Sequence, residues 1–422
     1  MTSLGPIFAD DLARVKPGDR LRLTISAQTS DAAALAQAAL EARARGERVL
    51  VVCADPADVP RLAQEMPWFE PKLDVRPLPD WETLPYDVLS PQEELVSERL
   101  EALYRLTAPT GGADVLLTSA VTASQRLSPV SYIGANTFFF HQGEQISLTT
   151  LQKRLAAAGY TNVKQVLAAG EFAVRGSIVD VFPMGSERPF RLDFFDDEIE
   201  SIRWFDVDTQ RSMESAEEIR LLPGHEFPVD PEALLAFRQR WRREFAGDPK
   251  KSIVYCDIEK EILPPGIEYY LPLFFDETAA LTDYLPPNAR VFLLGDIEAA
   301  LQAFGRDMAS RYKVLAADPQ RPALAPERIW LKPEEFFKSL ANFARFTVEK
   351  KENAEDLKRL SGIEVDRKSQ NPVGKLLERT RESAMKGVRT LIAAPSAGRM
   401  ETMSQLLRTG GLSVEEFPDW QT

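Results

Sequence analysis

At 422 residues the chain is too long for one ordinary domain and fits two to four. An apolar content of 44% with 27% charged residues describes a globular chain; no apolar run is long enough to span a bilayer, and MTSLGPIFADDLARV lacks the cationic start and apolar core of a secretory leader. A net charge of −13 opposes general affinity for a phosphate backbone, and two histidines with two distant cysteines leave no metal-ligand spacing.

A cytoplasmic location with no membrane contact is therefore expected. Cys53 and Cys256 both lie in apolar, strand-like runs and read as reduced core residues rather than as a bridge. His141 and His225 read as buried or turn residues, and nothing favours a Cys–His nucleophile pair. No catalytic constellation and no metal site is expected.

Residues 18–131 alternate strands and helices. Strands are predicted over 20–25, 48–53, 73–78 and 114–118, and helices over 31–44, 58–66, 93–106 and 119–126. Such repetition implies a parallel sheet with helices on both faces, whose ligand end is the loops past the strands' carboxyl ends. A nucleotide triphosphate would be cradled there by GxxxxGK[ST], but the first such loop is Ile25-Ser-Ala-Gln-Thr-Ser-Asp31. It has no glycine to let backbone amides approach phosphate and no lysine to hold it, so a working P-loop is not expected.

Near Ser131 the pattern changes. A short hairpin is predicted over 137–146, then an amphipathic helix over 148–159 ended by its glycine. Residues 170–211, GEFAVRGSIVDVFPMGSERPFRLDFFDDEIESIRWFDVDTQR, read as four short strands with turns at Gly176, at 183–189 and at Asp196-Asp197, and 216–222 as a last strand. Arg191, Asp193 and Phe195 alternate with Phe190, Leu192 and Phe194, so one row faces a core and the other faces outward. The stretch holds ten acids against five arginines, which opposes a nucleic-acid platform.

Residues 231–245 predict a helix with Phe237, Trp241 and Phe245 on one stripe and Arg238, Arg240, Arg242 and Arg243 on a solvated face. Strands are predicted over 252–256 and 290–294; after the second, Gly295-Asp296-Ile297-Glu298 reads as a helix cap at Asp296 rather than as paired magnesium-binding acids. An extended segment at 319–326 precedes a helix over 334–343, and 347–372 reads as a charged linker. The last part predicts helices over 373–385 and 399–408 and strands over 389–393 and 412–417. Residues 412–422 echo 73–83 at six of eleven places, a weak hint of duplication. The chain is expected to stop within, or just past, a small domain of a longer protein.

Four long, nearly gapless motifs carry a family resemblance: DWETLPYD (80–87), the 170–211 stretch, LLPGHEFP (221–228) and PPGIEYYLPLFF (264–275). Through them the chain closely resembles the N-terminal region of the bacterial transcription-repair coupling factor (Mfd) family, which is itself similar to the excision-repair protein UvrB. The resemblance runs over roughly residues 15–345 and is weaker beyond. It implies a degenerate P-loop-type α/β parallel-sheet module in two halves, 1–131 and 223–346. An α+β antiparallel-sheet domain of the UvrA-binding type, 132–222, interrupts them, and a linker, 347–372, leads to a small and possibly incomplete α/β domain, 373–422.

The sequence departs from UvrB at its chemistry. The phosphate loop is lost, residues 86–92 leave no room for a long DNA-clamping hairpin, and the paired acids after the late strand are replaced by Gly295-Asp296-Ile297-Glu298. The resemblance implies that UvrA is the partner of the antiparallel sheet, through Arg175, Arg191 and Phe195. It also implies that RNA polymerase, double-stranded DNA, and ATP with magnesium are engaged by translocase and polymerase-binding parts of the parent beyond residue 422, and that this chain needs no cofactor of its own. From the residues alone a docking face and a core row with sheet-internal pairs, to Asp193, Asp196 or Glu198, stand even. The reading from a different class is a nucleotide-dependent, DNA-binding enzyme related to UvrB and helicases.

Overall fold

The computed structural model describes residues 14–26, 30–108, 112–351, 363, 371–388, 390–392, 394, 396–417 and 419. Its strands in chain order are β1 (Arg20–Ser26), β2 (Val49–Cys53), β3 (Val75–Pro77), β4 (Val115–Ser119), β5 (Phe138–His141), β6 (Thr161–Asn162), β7 (Glu171–Arg175), β8 (Ile178–Val181), β9 (Phe190–Phe195), β10 (Glu198–Phe205), β11 (Ser212–Ala216), β12 (Glu218–Leu221), β13 (Arg290–Leu294) and β14 (Ala344–Lys351). They form a six-stranded sheet of order β1-β14-β13-β2-β4-β3, a second of order β11-β10-β9-β8-β7-β6, and a β12-β5 pair.

The first sheet is parallel throughout. Its central strands β2 (VLVVC), β4 (VLLTS) and β13 (RVFLL) are buried at every position, as continuous apolar runs between two helical layers should be. Residues before 120 and after 289 thus share one sheet, and the second, largely antiparallel sheet is built from the chain between them. One hydrophobic core joins the two: Leu50, Val52 and Leu116 belong to the same buried cluster as Phe190, Leu192, Phe194, Ile199 and Ile202. The fold is α/β with a parallel sheet and separate antiparallel sheets. Among the described residues no helix is long and apolar enough to cross a membrane.

Several local expectations are corrected by long-range pairing. The hairpin over 137–146 does not form: β5 pairs antiparallel with β12, 77 residues on at Glu218↔His141, while Gln145 makes a lone bridge to Glu198. The strand predicted over 216–222 therefore leaves the meander. The meander is closed instead by β11, whose polar, exposed SMESA carries little strand signal. Residues 252–256 are helical, not extended: Ser252 caps the Ile253–Glu259 helix through Tyr255 N–H, and Val254, Tyr255 and Ile258 are its buried stripe. Cys256 is consequently half-buried on a helix, its Sγ 3.4 Å from the Lys250 carbonyl, whereas Cys53 is a buried core residue of β2.

The linker expected from 347 begins later. β14 lies inside the parallel sheet between β1 and β13 and runs to Lys351, because Phe346 and Val348 alternate into the core although the flanking residues are charged. Residues 352–362 and 364–370 of that call lie outside the described residues. In the last part the helices Gly374–Met385 and Ala397–Thr409 pack through Val373, Leu377 and Leu407. Residues 412–417 are not a strand; Leu412 and Val414 pack against that cluster as irregular chain, where the corresponding residues 75–77 form β3, and 418 and 420–422 of the echo lie outside the described residues. Of the predicted strand 389–393, the described residues 390–392 are irregular, and 389 and 393 lie outside the description.

Candidate functional site

Two surfaces were singled out by the sequence: the ligand end of the parallel sheet and the outward face of the meander. At the first, the described acids Asp31 and Asp296 are engaged by the protein itself. Asp31, 1% exposed in the first turn of the Ser30–Ala44 helix, accepts from Ala32 N–H at 2.8 Å. Its carboxylate also takes both terminal nitrogens of Arg61, at 3.0 and 2.6 Å. A carboxylate thus occupies the helix N-terminus that favours anions. Residues 27–29 of the preceding loop lie outside the described residues. Asp296 caps its helix, accepting from Ala299 N–H at 2.9 Å, as its sequence position predicts.

The loop containing DWETLPYD is tied down by a buried ion pair. Arg99, with no exposed surface, gives Nε to Glu226 Oε1 at 2.6 Å and Nη1 to the Pro79 carbonyl at 2.7 Å, and Trp81 Nε1 donates to Glu226 at 3.1 Å. Beside it, Trp81, His225, Glu226, Phe227 and Glu268 line a small pocket. Burial raises the Glu268 carboxyl to about 7 and lowers His225 to about 4. Three of the four arginines of the Pro231–Glu244 helix are engaged rather than simply solvated: Arg238 faces Glu259, Arg240 binds Asp276 at 2.6 Å, and Arg242 lies over Tyr255, while Arg243 is exposed.

The meander differs. In β9 the inward Phe190, Leu192 and Phe194 are buried, while Arg191 and Asp193 are half-buried and Phe195 is 69% exposed. The alternation is therefore as read from the sequence. A tight turn follows, with Asp196 at φ +50°, a left-handed conformation that Asp accepts more readily than most residues. In β10 a bulge between Ile199 and Ser201 shifts the register, so that Ile199 and Ile202 stay in the core, Ser201 donates to Asp193 at 2.8 Å, and Arg203 stands opposite Arg191.

Across the sheet, Ala173, Asp180, Arg191 and Arg203 form one cross-strand line, and Arg175, Ile178, Asp193 and Ser201 form the next. Phe195 ends β9 one step further on. The turn at Gly176, φ +62°, joins β7 to β8 and places Arg175 at the strand's end. Arg175 and Arg191 converge on one carboxylate, that of Asp180, whose side chain has no exposed surface. Arg191 Nε and Nη2 reach the two Asp180 oxygens at 2.6 and 2.9 Å, Nη1 reaches the Gln210 carbonyl and Ser212 Oγ at 3.2 Å each, and the guanidinium lies 4.9 Å over the Phe205 ring. The hydrogen bonds to Asp180, joined by the Asp180 and Asp193 charges and opposed by burial, raise the Arg191 pKa. Arg175 donates Nη2 to Asp180 and keeps 49% of its side chain exposed, against 15% for Arg191.

Sheet-internal pairing of the arginines is thus real, but its partner is Asp180 rather than Asp193, Asp196 or Glu198. Asp180 was missed in the sequence because an acid in a strand reads as solvent-facing. The signal available was its setting: IVDV places it on the arginine-bearing side of a strand whose other residues are apolar.

Residues 138–227 match the family model of the UvrB interaction domain. The chain is 42% identical over 298 residues to the transcription-repair-coupling factor of Escherichia coli K12, covering 70% of this chain and 26% of that protein. It is 40% identical over 344 residues to the one from Haemophilus influenzae, covering 79% and 29%. With the Bacillus subtilis protein of the same name it shares 32% identity over 216 residues. The chain spans under a third of the length of these curated relatives. With a UvrB interaction domain at its centre and this similarity over most of its length, the chain belongs to the transcription-repair-coupling factor family.

Proposed function

We propose that this chain is an adaptor, in which the outward face of the meander docks the excision-repair protein UvrA by presenting the surface that UvrB presents. The observation that carries the reading is a large exposed aromatic, Phe195, on the same sheet face as the half-exposed Arg175, two strands and one register step away. Aromatic and arginine side chains on pre-ordered backbone are the usual anchors of protein interfaces, because little entropy is lost on docking. A planar guanidinium selects carboxylates, so acidic partner residues are expected. Arg175, Arg191 and Phe195 are the proposed contact set, within a UvrA-binding-type domain over 132–222.

In the longer protein this adaptor would serve transcription-coupled nucleotide excision repair in the cytoplasm, recruiting UvrA to RNA polymerase stalled at DNA damage. Polymerase binding and ATP- and magnesium-driven translocation on double-stranded DNA would be supplied beyond residue 422. Within this chain the parallel sheet is read as a degenerate P-loop-type module without catalysis. Support comes from the Asp31 carboxylate, which sits with Arg61 at the helix N-terminus where a phosphate would have to bind. The triple variant Arg175→Ala, Arg191→Ala, Phe195→Ala should lose UvrA binding in isothermal titration; native affinity would sink the docking reading. Heat on titrating the chain with ATP and magnesium would favour the nucleotide-dependent enzyme instead.

A further inference from the structure

Arg175 and Arg191 are equivalent in the sequence pattern but not in the structure. Arg191 has committed four of its five N–H groups inside the protein: Nε and one on Nη2 to Asp180, and both on Nη1, to Gln210 and Ser212. It lies flat over Phe205 and is largely covered. Arg175 has one described bond, from Nη2 to Asp180, and half its side chain faces outward. Two guanidinium charges share one buried carboxylate, so the trio carries a net positive charge, and its open edge is on Arg175.

A long arginine at a strand end would otherwise sample many rotamers and lose that freedom on docking. A fixed internal acceptor removes that cost in advance, as second-layer hydrogen bonds do for other functional side chains. Asp180 can be so fixed because Arg191 holds it bidentately from the neighbouring strand, in direct register.

We propose that Asp180 is the positioning residue of this face: braced by Arg191, it holds the Arg175 guanidinium so that its free edge meets a carboxylate on the docked partner. Within the contact set Arg191 then acts chiefly as the brace, since only 15% of its side chain is exposed. The assignment rests on the docking reading above and says which groups perform it.

The test is a double-mutant cycle on the whole chain, with purified UvrA as titrant and both Kd and dissociation rate measured. Asp180→Asn preserves shape and removes the charge. It should raise Kd about tenfold in the native background, within the range of coupling inside one ion-pair network. In an Arg175→Ala background it should change Kd less than twofold. Equal losses in the two backgrounds, or none in either, would overturn the assignment, since a merely structural aspartate weakens both alike.

Asp180→Glu guards against a folding defect. It keeps the charge but displaces the acceptor by one methylene, and should weaken binding several-fold with faster dissociation; native Kd would count against the proposal. Unchanged Kd for Arg175→Ala beside lost binding for Phe195→Ala would overturn the positioning role while leaving the docking face. Unchanged Kd for both would overturn the docking reading itself.

Discussion

The ligand end of the parallel sheet and the outward face of the meander contain the same ingredients, arginines beside acids and large aromatics, arranged to opposite effect. At the sheet end Arg99 and Glu226 are buried together and Trp81 donates into the pair, so the charges hold the loop in place and offer nothing outward. On the meander, Asp180 is buried but Arg175 is half open, and Phe195 is left uncovered. Burying both partners of an ion pair makes a strut, while burying only the acid makes a mount for an exposed cation.

The comparison breaks most visibly at the strut. Glu226→Ala leaves the Arg99 guanidinium buried without its counter-ion and should cost about 3–5 kcal/mol of stability, read by urea or thermal unfolding. A loss below about 1 kcal/mol would show that the loop relaxes enough for water to reach Arg99.

On the meander the two arginines should part company. Arg191→Ala removes four hydrogen bonds and one of the two cations at Asp180, and should destabilise by about 2–3 kcal/mol in the same assay. Phe195→Ala should leave the unfolding midpoint unchanged yet weaken UvrA binding by about 2 kcal/mol, roughly thirtyfold in Kd. The reverse pattern, Phe195 for stability and Arg191 for binding alone, would contradict the division drawn from their exposure.

A smaller effect concerns pH. The Glu268 carboxyl, raised by burial from 4.5 to about 7, holds its proton more tightly folded than unfolded, so stability falls as pH rises between those values. His225, lowered by burial from 6.5 to about 4, stays neutral while the unfolded chain takes up a proton, so stability also falls as pH drops through that interval. The two slopes oppose each other where they overlap. Glu268→Gln should stabilise the chain at pH 8 by about 1–3 kcal/mol and leave the acid-side loss from His225 unopposed by Glu268. Unfolding free energies between pH 4 and 8 for native and variant would show it; parallel curves would refute it.

The smallest effect is at the turn that presents Phe195. Asp196→Gly relieves a left-handed φ of +50° on a residue with a Cβ and should change stability by at most about 0.5 kcal/mol in the favourable direction. A large loss would mean that the Asp196 side chain, not the backbone, holds the hairpin.

Much of this was legible in the residues. Continuous apolar runs identified β2, β4 and β13, and strict alternation in FRLDFF identified both faces of β9. The position of Asp296 was enough to read it as a cap. What failed did so where partners are far apart in sequence. β5 and β12 form a ladder 77 residues apart at Glu218↔His141, and β14 enters the sheet interior although its charged tail reads as linker. The helix at Ile253–Glu259 overrides the strand preference of Ile-Val-Tyr-Cys because Val254, Tyr255 and Ile258 meet an aromatic cluster built from remote residues.

By itself, then, the sequence determined the outward row of Arg191, Asp193 and Phe195, because a period of two needs no knowledge of neighbours, while its long motifs carried the family resemblance. Only the tertiary structure decided which members of that row are engaged inside the protein. Whether an arginine is spent inside the protein or left for a partner depends on which acid the register places opposite it. Register carried Asp180 to Arg191 across a sheet whose strands are joined by turns of variable length. That single pairing separates the brace from the presented cation.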